Sequence, residues 1–577
     1  MIMEESGKKI TGYIKPYISR MTVGLTIKIL GSLFDLGIPW ILAFLIDSVI
    51  PQKDMGLVVL WGGMMILCSL LAWGGNVIAN RMASSVSRDA TRSIRHDLFK
   101  KISYLSNRNV DNFTSASLIS RMTSDTYTIH QTIGMLQRMG VRAPILLIGG
   151  ILITLTLDPV LTLVMVAALP VAGVLTFFIS RKGVKLYKDV QRKADKMLMV
   201  VRENVTGIRV IKALSKSDYE RERFKQVNGD LTSQERRAEK TMSVINPSMS
   251  GIINLGLVVV IIVGAFRIDA GQSEIGKIIA FMNYFTLILQ SIMSITRIFT
   301  MLSRASASSS RICEVLNCKT ELYEIADKYE KKDGKAPFIE FSQVDFKYGT
   351  GSFMLKNINL KINRGETLGI IGATGSGKTT IIQALMRFYD VSAGSIKIEG
   401  VDIRDYSTKE LRSKFGVAFQ NDTLFKDTIE ENIRFGRDHA DLEKAAAIAQ
   451  AGGFIEEQGG FSAPVAIKGA NLSGGQKQRL LIARAVAASP EILILDDSSS
   501  ALDYKTDAKM REEIRTHLQN TTKIIIAQRV SSIMHAETIA VMENGRITGL
   551  GTHEYLMETC PLYREIGISQ IGDDDDE

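Results

Sequence analysis

The sequence predicts an all-α domain of six transmembrane helices, followed by an α/β domain of the P-loop type. Long runs without charge recur before about residue 305, and a charged, glycine-rich sequence follows them. Within that later part, residues Gly372–Thr379 have the pattern G-x-x-x-x-G-K-T directly after the strand-like run Glu366–Ile371. Because apolar runs of about 18 or more residues favour membrane spans over buried helices of a soluble protein, we assign the first half to a bilayer.

The six predicted spans are long enough to cross a membrane as helices, which takes about 20 residues. The spans 55–80 and 241–266 contain no charged residue at all. The predicted spans are residues 22–48, 55–80, 136–157, 159–180, 241–266 and 275–303.

The positions of the basic residues predict the orientation. Short turns join spans one and two, three and four, and five and six, and these turns are nearly free of basic residues. The longer segments between spans two and three and between four and five hold many of them: Arg88, Arg92, Arg95, Lys100, Lys101, Arg181, Lys182, Lys185 and Lys188. Positive charge marks the cytoplasmic side, so we expect both termini in the cytosol. The net charge of +9 then requires no nucleic acid.

Neither the cysteines nor the intramembrane charge identifies a site by itself. The four cysteines are scattered and match no zinc or disulfide framework, which suits a reducing cytosol: Cys68, Cys313, Cys318 and Cys560. Asp35 lies inside the first predicted span, where charge is costly and usually faces a cavity or a partner. The sequence leaves open whether Asp35 lines a path through the domain or makes a polar contact between helices.

The composition predicts the domain limits. We expect a membrane domain over residues 1–308 with long cytoplasmic helical extensions, a polar linker over 309–337, and the α/β domain over 338–570. The remaining residues, 571–577, form an acidic tail, which we interpret as a solvated end of the chain.

The glycine-rich loop is predicted to bind phosphate groups. Its glycines let backbone N–H groups surround the phosphates, and the N-terminus of the following helix adds partial positive charge. Lys378 is expected to reach the β- and γ-phosphates, and the Thr379 hydroxyl to bind Mg²⁺. The predicted nucleotide contacts here are Gly372, Thr374, Gly375, Ser376, Gly377, Lys378, Thr379 and Thr380.

Two further motifs follow in order. Ile492–Asp496 is a hydrophobic strand pattern ending in a carboxylate, which suits Asp496 as a holder of Mg²⁺ beside the loop. Between them lies Leu472–Gln476, with the sequence Leu-Ser-Gly-Gly-Gln, followed by a helical pattern. The ordered combination resembles ATP-binding cassette (ABC) proteins, whose signature motif has this sequence. The resemblance implies ATP and Mg²⁺ as cofactors.

The resemblance also assigns further residues. Tyr348 looks like the aromatic residue that stacks on adenine, Gln420 matches the Q-loop glutamine that contacts Mg²⁺ and the membrane domain, and Ser500–Asp503 matches the D-loop. The signature residues implied to contact nucleotide are Ser473, Gly474, Gly475 and Gln476. The residues implied to hold Mg²⁺, through ATP, are Thr379, Gln420 and Asp496.

Essentially the whole chain resembles an exporter half-transporter of type IV architecture. Leu118–Met122 and Thr206–Ala213 look like cytoplasmic segments of ABC exporters next to the coupling helices. The resemblance implies a multi-pass protein of the bacterial plasma membrane, with its nucleotide-binding domain in the cytosol. It further implies ATP-driven export of an amphipathic or hydrophobic substrate, such as a drug, lipid or peptide, by a dimer.

Two positions depart from the family pattern, and both are assigned to catalysis. The residue after the acidic strand is normally glutamate and here is Asp497, while the switch histidine is replaced by Gln528. Aspartate is shorter by one methylene, so its carboxylate falls back by roughly 1.5 Å. A misplacement of about 1 Å can cost on the order of 100-fold in rate. Gln528 can donate a hydrogen bond but cannot become positively charged. This site is therefore expected to bind ATP and to hydrolyse it poorly.

Three interpretations follow from these departures. The first is a subunit of a heterodimeric exporter, whose intact signature completes a competent site on a homologous partner. The second is a homodimeric exporter that hydrolyses ATP slowly with Asp497. The third is an ATP-gated regulator or channel. A further departure is Ile467, where exporters usually carry glutamate in a stretch that relays motion to the coupling helices.

Overall fold

The computed structural model describes residues 9–318, 337–349, 351–420, 422–498 and 501–571. Ser500 of the D-loop, the acidic tail after Ile571 and most of the predicted linker lie outside the described residues. The chain forms two compact units: Met1–Ser103 with Ser115–Cys318, and Tyr104–Thr114 with Lys319–Glu577. The short segment 104–114 thus groups with the second unit although it lies between two predicted spans, and the predicted domain limits stay predictions.

The first half of the chain is helical throughout its described part. Its helices are α1 Ile10–Ile14, α2 Ile18–Phe44, α3 Met55–Ser103, α4 Asn107–Phe113, α5 Ser115–Ser120, α6 Thr126–Arg138, α7 Arg142–Leu157, α8 Pro159–Thr206, α9 Ile208–Ala213, α10 Ser217–Met242, α11 Ile245–Asp269 and α12 Ile275–Leu316. Of these, α4 belongs to the second unit.

Six helical segments of the described chain are long and apolar enough to cross a membrane, which confirms the predicted six-helix fold class. They are Ile10–Gln52, Met55–Ser103, Ser115–Leu157, Pro159–Thr206, Ser217–Asp269 and Ile275–Leu316. At about 1.5 Å per residue, α3 is far longer than a hydrocarbon core of about 30 Å. Helix α12 also runs to Leu316, past residue 308.

The membrane unit has a buried core of its own. Leu36 of α2 and Tyr284, Phe285 and Ile288 of α12 are fully enclosed within it. The Tyr284 hydroxyl donates a hydrogen bond to the Leu36 carbonyl oxygen at 2.6 Å, which satisfies a polar group that has no access to water. Large apolar side chains on the outside, such as Trp73 at 69% exposure, suit contact with hydrocarbon.

The second unit contains three sheets. Its strands are β1 Ile339–Lys347, β2 Phe353–Ile362, β3 Thr367–Gly372, β4 Ala393–Ile398, β5 Val401–Asp402, β6 Phe415–Ala418, β7 Asp427–Thr428, β8 Pro464–Val465, β9 Ile492–Asp496, β10 Thr522–Ile526, β11 Thr538–Glu543 and β12 Arg546–Gly551. A six-stranded sheet has the order β12-β11-β3-β10-β9-β6 and is parallel except for β12. A four-stranded antiparallel sheet has the order β2-β1-β4-β5, and β7 pairs with β8.

Helices cover these sheets, in agreement with the predicted α/β class. They are α13 Lys378–Leu385, α14 Thr408–Ser413, α15 Ile429–Arg434, α16 Leu442–Ile448, α17 Gly452–Glu457, α18 Gly474–Val486, α19 Tyr504–His517, α20 His553–Thr559 and α21 Pro561–Ile571. All five residues of β9 are buried, as expected of a parallel strand covered on both faces. Strands β3, β10 and β9 are neighbours and parallel, so their carboxyl ends meet at one edge, which is where such sheets bind ligands.

Candidate functional site

The phosphate loop follows β3 at this edge and needs glycine for its backbone. Gly372 has φ of +155° and Gly377 has φ of +101°. A Cβ on Gly372 would lie 2.1 Å from the Met542 carbonyl oxygen, and one on Gly377 would lie 2.9 Å from the Met354 carbonyl oxygen. Only a residue without a side chain fits these two positions.

The same loop has room and donors for phosphate groups. A Cβ at Gly375 would meet no atom within 4 Å, so the loop is open there. The buried Ser376 hydroxyl has no hydrogen-bond partner in the described part of the chain. The Lys378 ammonium donates to the carbonyl oxygens of Gly372 and Ala373 at 2.7 and 3.0 Å, and its burial lowers its pKa. The Ser376 hydroxyl and the Lys378 ammonium are therefore suitable donors to the phosphate groups of a nucleoside triphosphate.

Asp496 lies where the family pattern places a Mg²⁺ holder. The Thr379 hydroxyl donates to its Oδ2 at 2.9 Å. Burial raises the pKa of Asp496, and the Thr379 hydrogen bond opposes this rise. The described residues contain no group of three or more His, Cys, Asp or Glu side chains that could hold a metal. A Mg²⁺ ion here would therefore combine the Asp496 carboxylate with hydroxyl, amide and phosphate oxygens, which are hard ligands that suit it.

The two catalytic departures contact each other. Oδ2 of Asp497 accepts a hydrogen bond from Nε2 of Gln528 at 2.6 Å and another from Nε2 of Gln420 at 2.9 Å. The Asp497 backbone N–H donates to the Ile526 carbonyl oxygen at 2.9 Å, at a φ of +49°. Burial raises the pKa of Asp497, so the carboxylate keeps its affinity for a proton. Two amides thus hold the short Asp497 side chain at one carboxylate oxygen.

Tyr348 lies beside the helix that follows the phosphate loop. Its hydroxyl donates to Oε1 of Gln383 at 2.5 Å and lies 3.5 Å from Oγ1 of Thr380. Its ring meets those of Phe346 and Tyr389 edge-on, with centroids 4.8 and 5.2 Å away. These contacts hold the ring at the position predicted for adenine stacking, while the side chain stays 36% exposed.

The signature motif starts helix α18 and is separate from this cluster. Ser473 caps the helix: its hydroxyl accepts from the Gln476 backbone N–H, and its own N–H donates to the Gln476 side chain at 2.9 Å. Ser473 and Gly474 are exposed. Among the described residues, no hydrogen bond joins Ser473–Gln476 to the phosphate loop. One chain thus presents the two halves of a nucleotide site in different places.

The sequence did not predict an aromatic link to α4. The Tyr389 hydroxyl donates to Oδ2 of Asp111 at 2.7 Å, and Tyr389 packs on Tyr348. Burial and this hydrogen bond raise the pKa of Tyr389. Tyr348, Tyr389 and Asp111 line a cleft of about 920 Å³. The only available signal was an acidic residue in a segment next to a predicted coupling helix.

For Asp35, the structure shows the polar contact between helices. Nη2 of Arg142 at the start of α7 lies 3.0 Å from Oδ2 of Asp35, and Nδ2 of Asn76 lies 3.5 Å from the same oxygen. Both are residues of other helices than α2. Ile467, the third departure, is 66% exposed.

Comparison with known proteins covers nearly the whole chain. Residues 21–293 match the ABC transporter transmembrane region, and residues 355–500 match the ABC transporter family. An uncharacterized ABC transporter ATP-binding protein of Mycobacterium tuberculosis is 33% identical, over 97% of this chain and 97% of its own length. A putative multidrug export ATP-binding/permease protein, YgaD of Bacillus subtilis, is 31% identical over 97% of this chain and 98% of its own. A solved bacterial Atm1-family ABC exporter with ATP bound has the same fold, with a TM-score of 0.80 and 23% identity, covering 95% of this chain and 98% of that one.

Proposed function

The chain belongs to the ABC transporter family, as an ATP-hydrolysing transporter with its membrane region and ATPase region in one polypeptide, and we propose that it is one subunit of a heterodimeric exporter. It moves an amphipathic or hydrophobic substrate out of the cell across the bacterial plasma membrane. The nucleotide-binding domain and both termini lie in the cytosol. The likeness to a putative multidrug export protein supports export as the direction.

The observation that carries the proposal is the contact among Asp497, Gln528 and Gln420. In an ABC site that hydrolyses fast, a carboxylate reaches the attacking water. Here a side chain one methylene shorter is held at one oxygen by two amides, at 2.6 and 2.9 Å. Loss of general-base assistance costs about 100- to 10,000-fold in rate. Because the raised pKa of Asp497 leaves its basicity intact, the defect is one of position.

The binding half of the site keeps its parts. The loop N–H groups, the Ser376 hydroxyl and the Lys378 ammonium hold the phosphates, and Tyr348 stacks on the adenine. Thr379, Gln420 and Asp496 hold Mg²⁺, which neutralises charge on the phosphate oxygens when bound. Gln528 orients the γ-phosphate by donating a hydrogen bond but adds no charge. The site thus retains ATP for long periods and keeps the dimer together.

The signature motif contributes to the nucleotide site of the other subunit. Helix α18 is 13 residues long, and its exposed N-terminus carries partial positive charge. Such an end binds phosphate, and in this chain it lies apart from the chain's own phosphate loop. Ser473 and Gly475 therefore complete a nucleotide site on the partner, whose own glutamate and histidine perform hydrolysis.

A homodimer is the second candidate, and one observation favours it. The raised pKa of Asp497 makes the carboxylate a competent proton acceptor. If the side chain can reach the water after the cassettes close, the chain alone hydrolyses ATP slowly.

Steady-state ATP turnover separates the two candidates. The full-length chain is measured alone, and then co-purified with a homologous half-transporter encoded beside it. We expect the pair to turn over at least about 100-fold faster than the lone chain, and replacement of the partner's catalytic glutamate by glutamine to silence the pair. Turnover of the lone chain at the rate of the pair would overturn the heterodimer and support the homodimer.

A further inference from the structure

The membrane unit contains a cavity of about 370 Å³ between its helices. Residues from α2, α3, α6, α7 and α12 line it. Its polar wall includes Lys28, Asn80, Arg138, Arg142 and Gln290. The volume falls in the range of small-molecule sites, which is about 300–1,000 Å³. We name it the cationic cavity, after its three basic residues.

The charges in the cationic cavity do not balance. Lys28 is 3% exposed, and its ammonium donates to the neutral Asn80 Oδ1 at 3.1 Å. Nη1 of Arg138 donates to the neutral Ser84 hydroxyl at 3.2 Å. Among the described residues, only Arg142 of the three has an ion pair, with Asp35. The Nε atom of Arg142 is buried without a partner.

Uncompensated cations at such a position call for a negative partner. A buried charge is costly unless it is paired, and charges inside membrane domains face one another or a ligand path. Three cations face one carboxylate here, so two of them have no ion pair among the described residues. A ligand with an anionic group would supply a countercharge and would gain charge-assisted hydrogen bonds.

The rest of the wall is apolar. Met139, Ala143, Leu146 and Leu287 line the same cavity. A ligand that fits both walls has an anionic end and an apolar body. Arg142 begins α7, and the helix to Leu157 spans about 24 Å at about 1.5 Å per residue. In the proposed orientation this places the cationic cavity at the cytosolic end of the hydrocarbon core, where substrate would enter.

We propose that the cationic cavity binds amphipathic organic anions, and that the exported substrate carries a carboxylate, sulfonate or phosphate group. This inference rests on the proposed export function for its second half, whereas the binding itself does not depend on ATP hydrolysis or on a partner. A lipid headgroup and a free amphipathic anion share this chemistry.

Binding of two matched probes to the full-length chain tests the proposal. The chain is placed in phosphatidylcholine nanodiscs, with empty nanodiscs as background. The probes are pyrenebutyrate, an anion, and pyrenebutyltrimethylammonium, a cation with the same apolar body. We expect the anion to bind at least about tenfold more tightly, since hydrogen bonds to charged groups contribute roughly 1.5–3 kcal/mol.

Four variants locate the binding. Lys28→Gln and Arg138→Gln each weaken pyrenebutyrate binding at least about fivefold, and Lys28→Arg restores it. Lys100→Gln removes the same charge from an exposed position of α3 and leaves binding unchanged. Thermal unfolding of each variant reports whether it is folded, and rescue by Lys28→Arg separates charge from packing. Equal binding of both probes, or equal binding of the anion by all variants, overturns the proposal.

An added arm identifies the source of the anion. Nanodiscs containing phosphatidylglycerol are compared with those of phosphatidylcholine alone. Competition between phosphatidylglycerol and pyrenebutyrate supports an anion site that takes a lipid headgroup. Unchanged binding supports a site for free anions. Failure of the probe experiment leaves the heterodimer proposal intact, because the turnover measurements above test that proposal independently.

Discussion

Asp497 in the nucleotide site accepts hydrogen bonds from two glutamine amides, whereas Lys28 in the cationic cavity donates to one asparagine and has no ion pair in the described chain. Asp496 is likewise satisfied, by the Thr379 hydroxyl. In the first region the carboxylates are held by neighbours before any ligand arrives. In the second region Lys28 and Arg138 have no ion pair among the described residues, whereas Arg142 pairs with Asp35.

The two regions use buried charge in different ways. Groups that are hydrogen-bonded in advance hold a fixed geometry, and in the nucleotide site that geometry restrains the carboxylate needed for hydrolysis. Groups without a counterion make the empty state costly and favour an occupied one. In the proposed function the first region therefore holds ATP without rapid turnover, and in the proposed binding of anions the second selects its ligand by charge.

Removal of the Lys378 ammonium is expected to have the largest effect, which is a loss of ATP affinity. Among the described residues this ammonium donates only to backbone carbonyls, and the proposed function pairs it with a phosphate of ATP. We expect Lys378→Ala to weaken ATP binding about 10- to 100-fold, since a hydrogen bond to a charged group contributes roughly 1.5–3 kcal/mol. Isothermal titration calorimetry with ATP measures this. Lys361→Ala, at an exposed lysine of β2, is the control, and equal affinities of the two variants would contradict the assignment.

Replacement of Asp496 tests whether its charged form destabilises the nucleotide-free fold. Burial raises the pKa of Asp496, so the fold disfavours its charged form, and its contribution to stability is lost as pH rises through that pKa. We expect Asp496→Asn to raise the unfolding temperature of the nucleotide-free chain at neutral pH. At acid pH, where the native carboxyl is protonated, the gain disappears.

The matched variant Asp402→Asn has the opposite sign. Despite its burial, hydrogen bonds from Arg404 hold the pKa of Asp402 below its usual value, so its charged form stabilises the fold at neutral pH. Scanning calorimetry should show a lower unfolding temperature for this variant. If both variants lower the unfolding temperature at neutral pH, the sign assigned to Asp496 is wrong.

The smallest expected effect concerns the contact between Tyr389 and Asp111. Tyr389→Phe removes one hydrogen bond of 2.7 Å and keeps the ring that packs on Tyr348. Such a bond contributes about 0.5–1.5 kcal/mol, so amide exchange in residues 104–114 should become roughly 2- to 10-fold faster. Tyr555→Phe, at an exposed tyrosine, is the control. Unchanged exchange in 104–114 would show that this contact does not hold α4.

The fold was predictable because two strong local signals divide the chain. Long apolar runs predict helices that cross a membrane, and the order of Gly372–Thr379, Leu472–Gln476 and Asp496 predicts an ABC cassette. The family pattern also assigned both Asp497 and Gln528 to catalysis. It could not predict that they bond to each other, because side-chain geometry at the ends of β9 and β10 depends on how the strands pair.

The cationic cavity was not predictable in the same way. Lys28 and Arg142 lie in different predicted spans, 114 positions apart, and Arg138 lies on a further helix. Their proximity comes from the packing of α2, α6 and α7, which has no local sequence signal. The sequence left both roles of Asp35 open for the same reason, because its partner Arg142 is distant in the chain.

Single-turnover ATP hydrolysis at this chain's own site tests directly whether that site holds ATP and hydrolyses it poorly. The chain is paired with a partner whose catalytic glutamate is replaced by glutamine, so that only this site can act, and it is compared with the double variant Asp497→Glu/Gln528→His. We predict that the native site retains ATP and that the double variant hydrolyses it about 100- to 10,000-fold faster. Hydrolysis by the native site at the rate of the double variant would contradict the account.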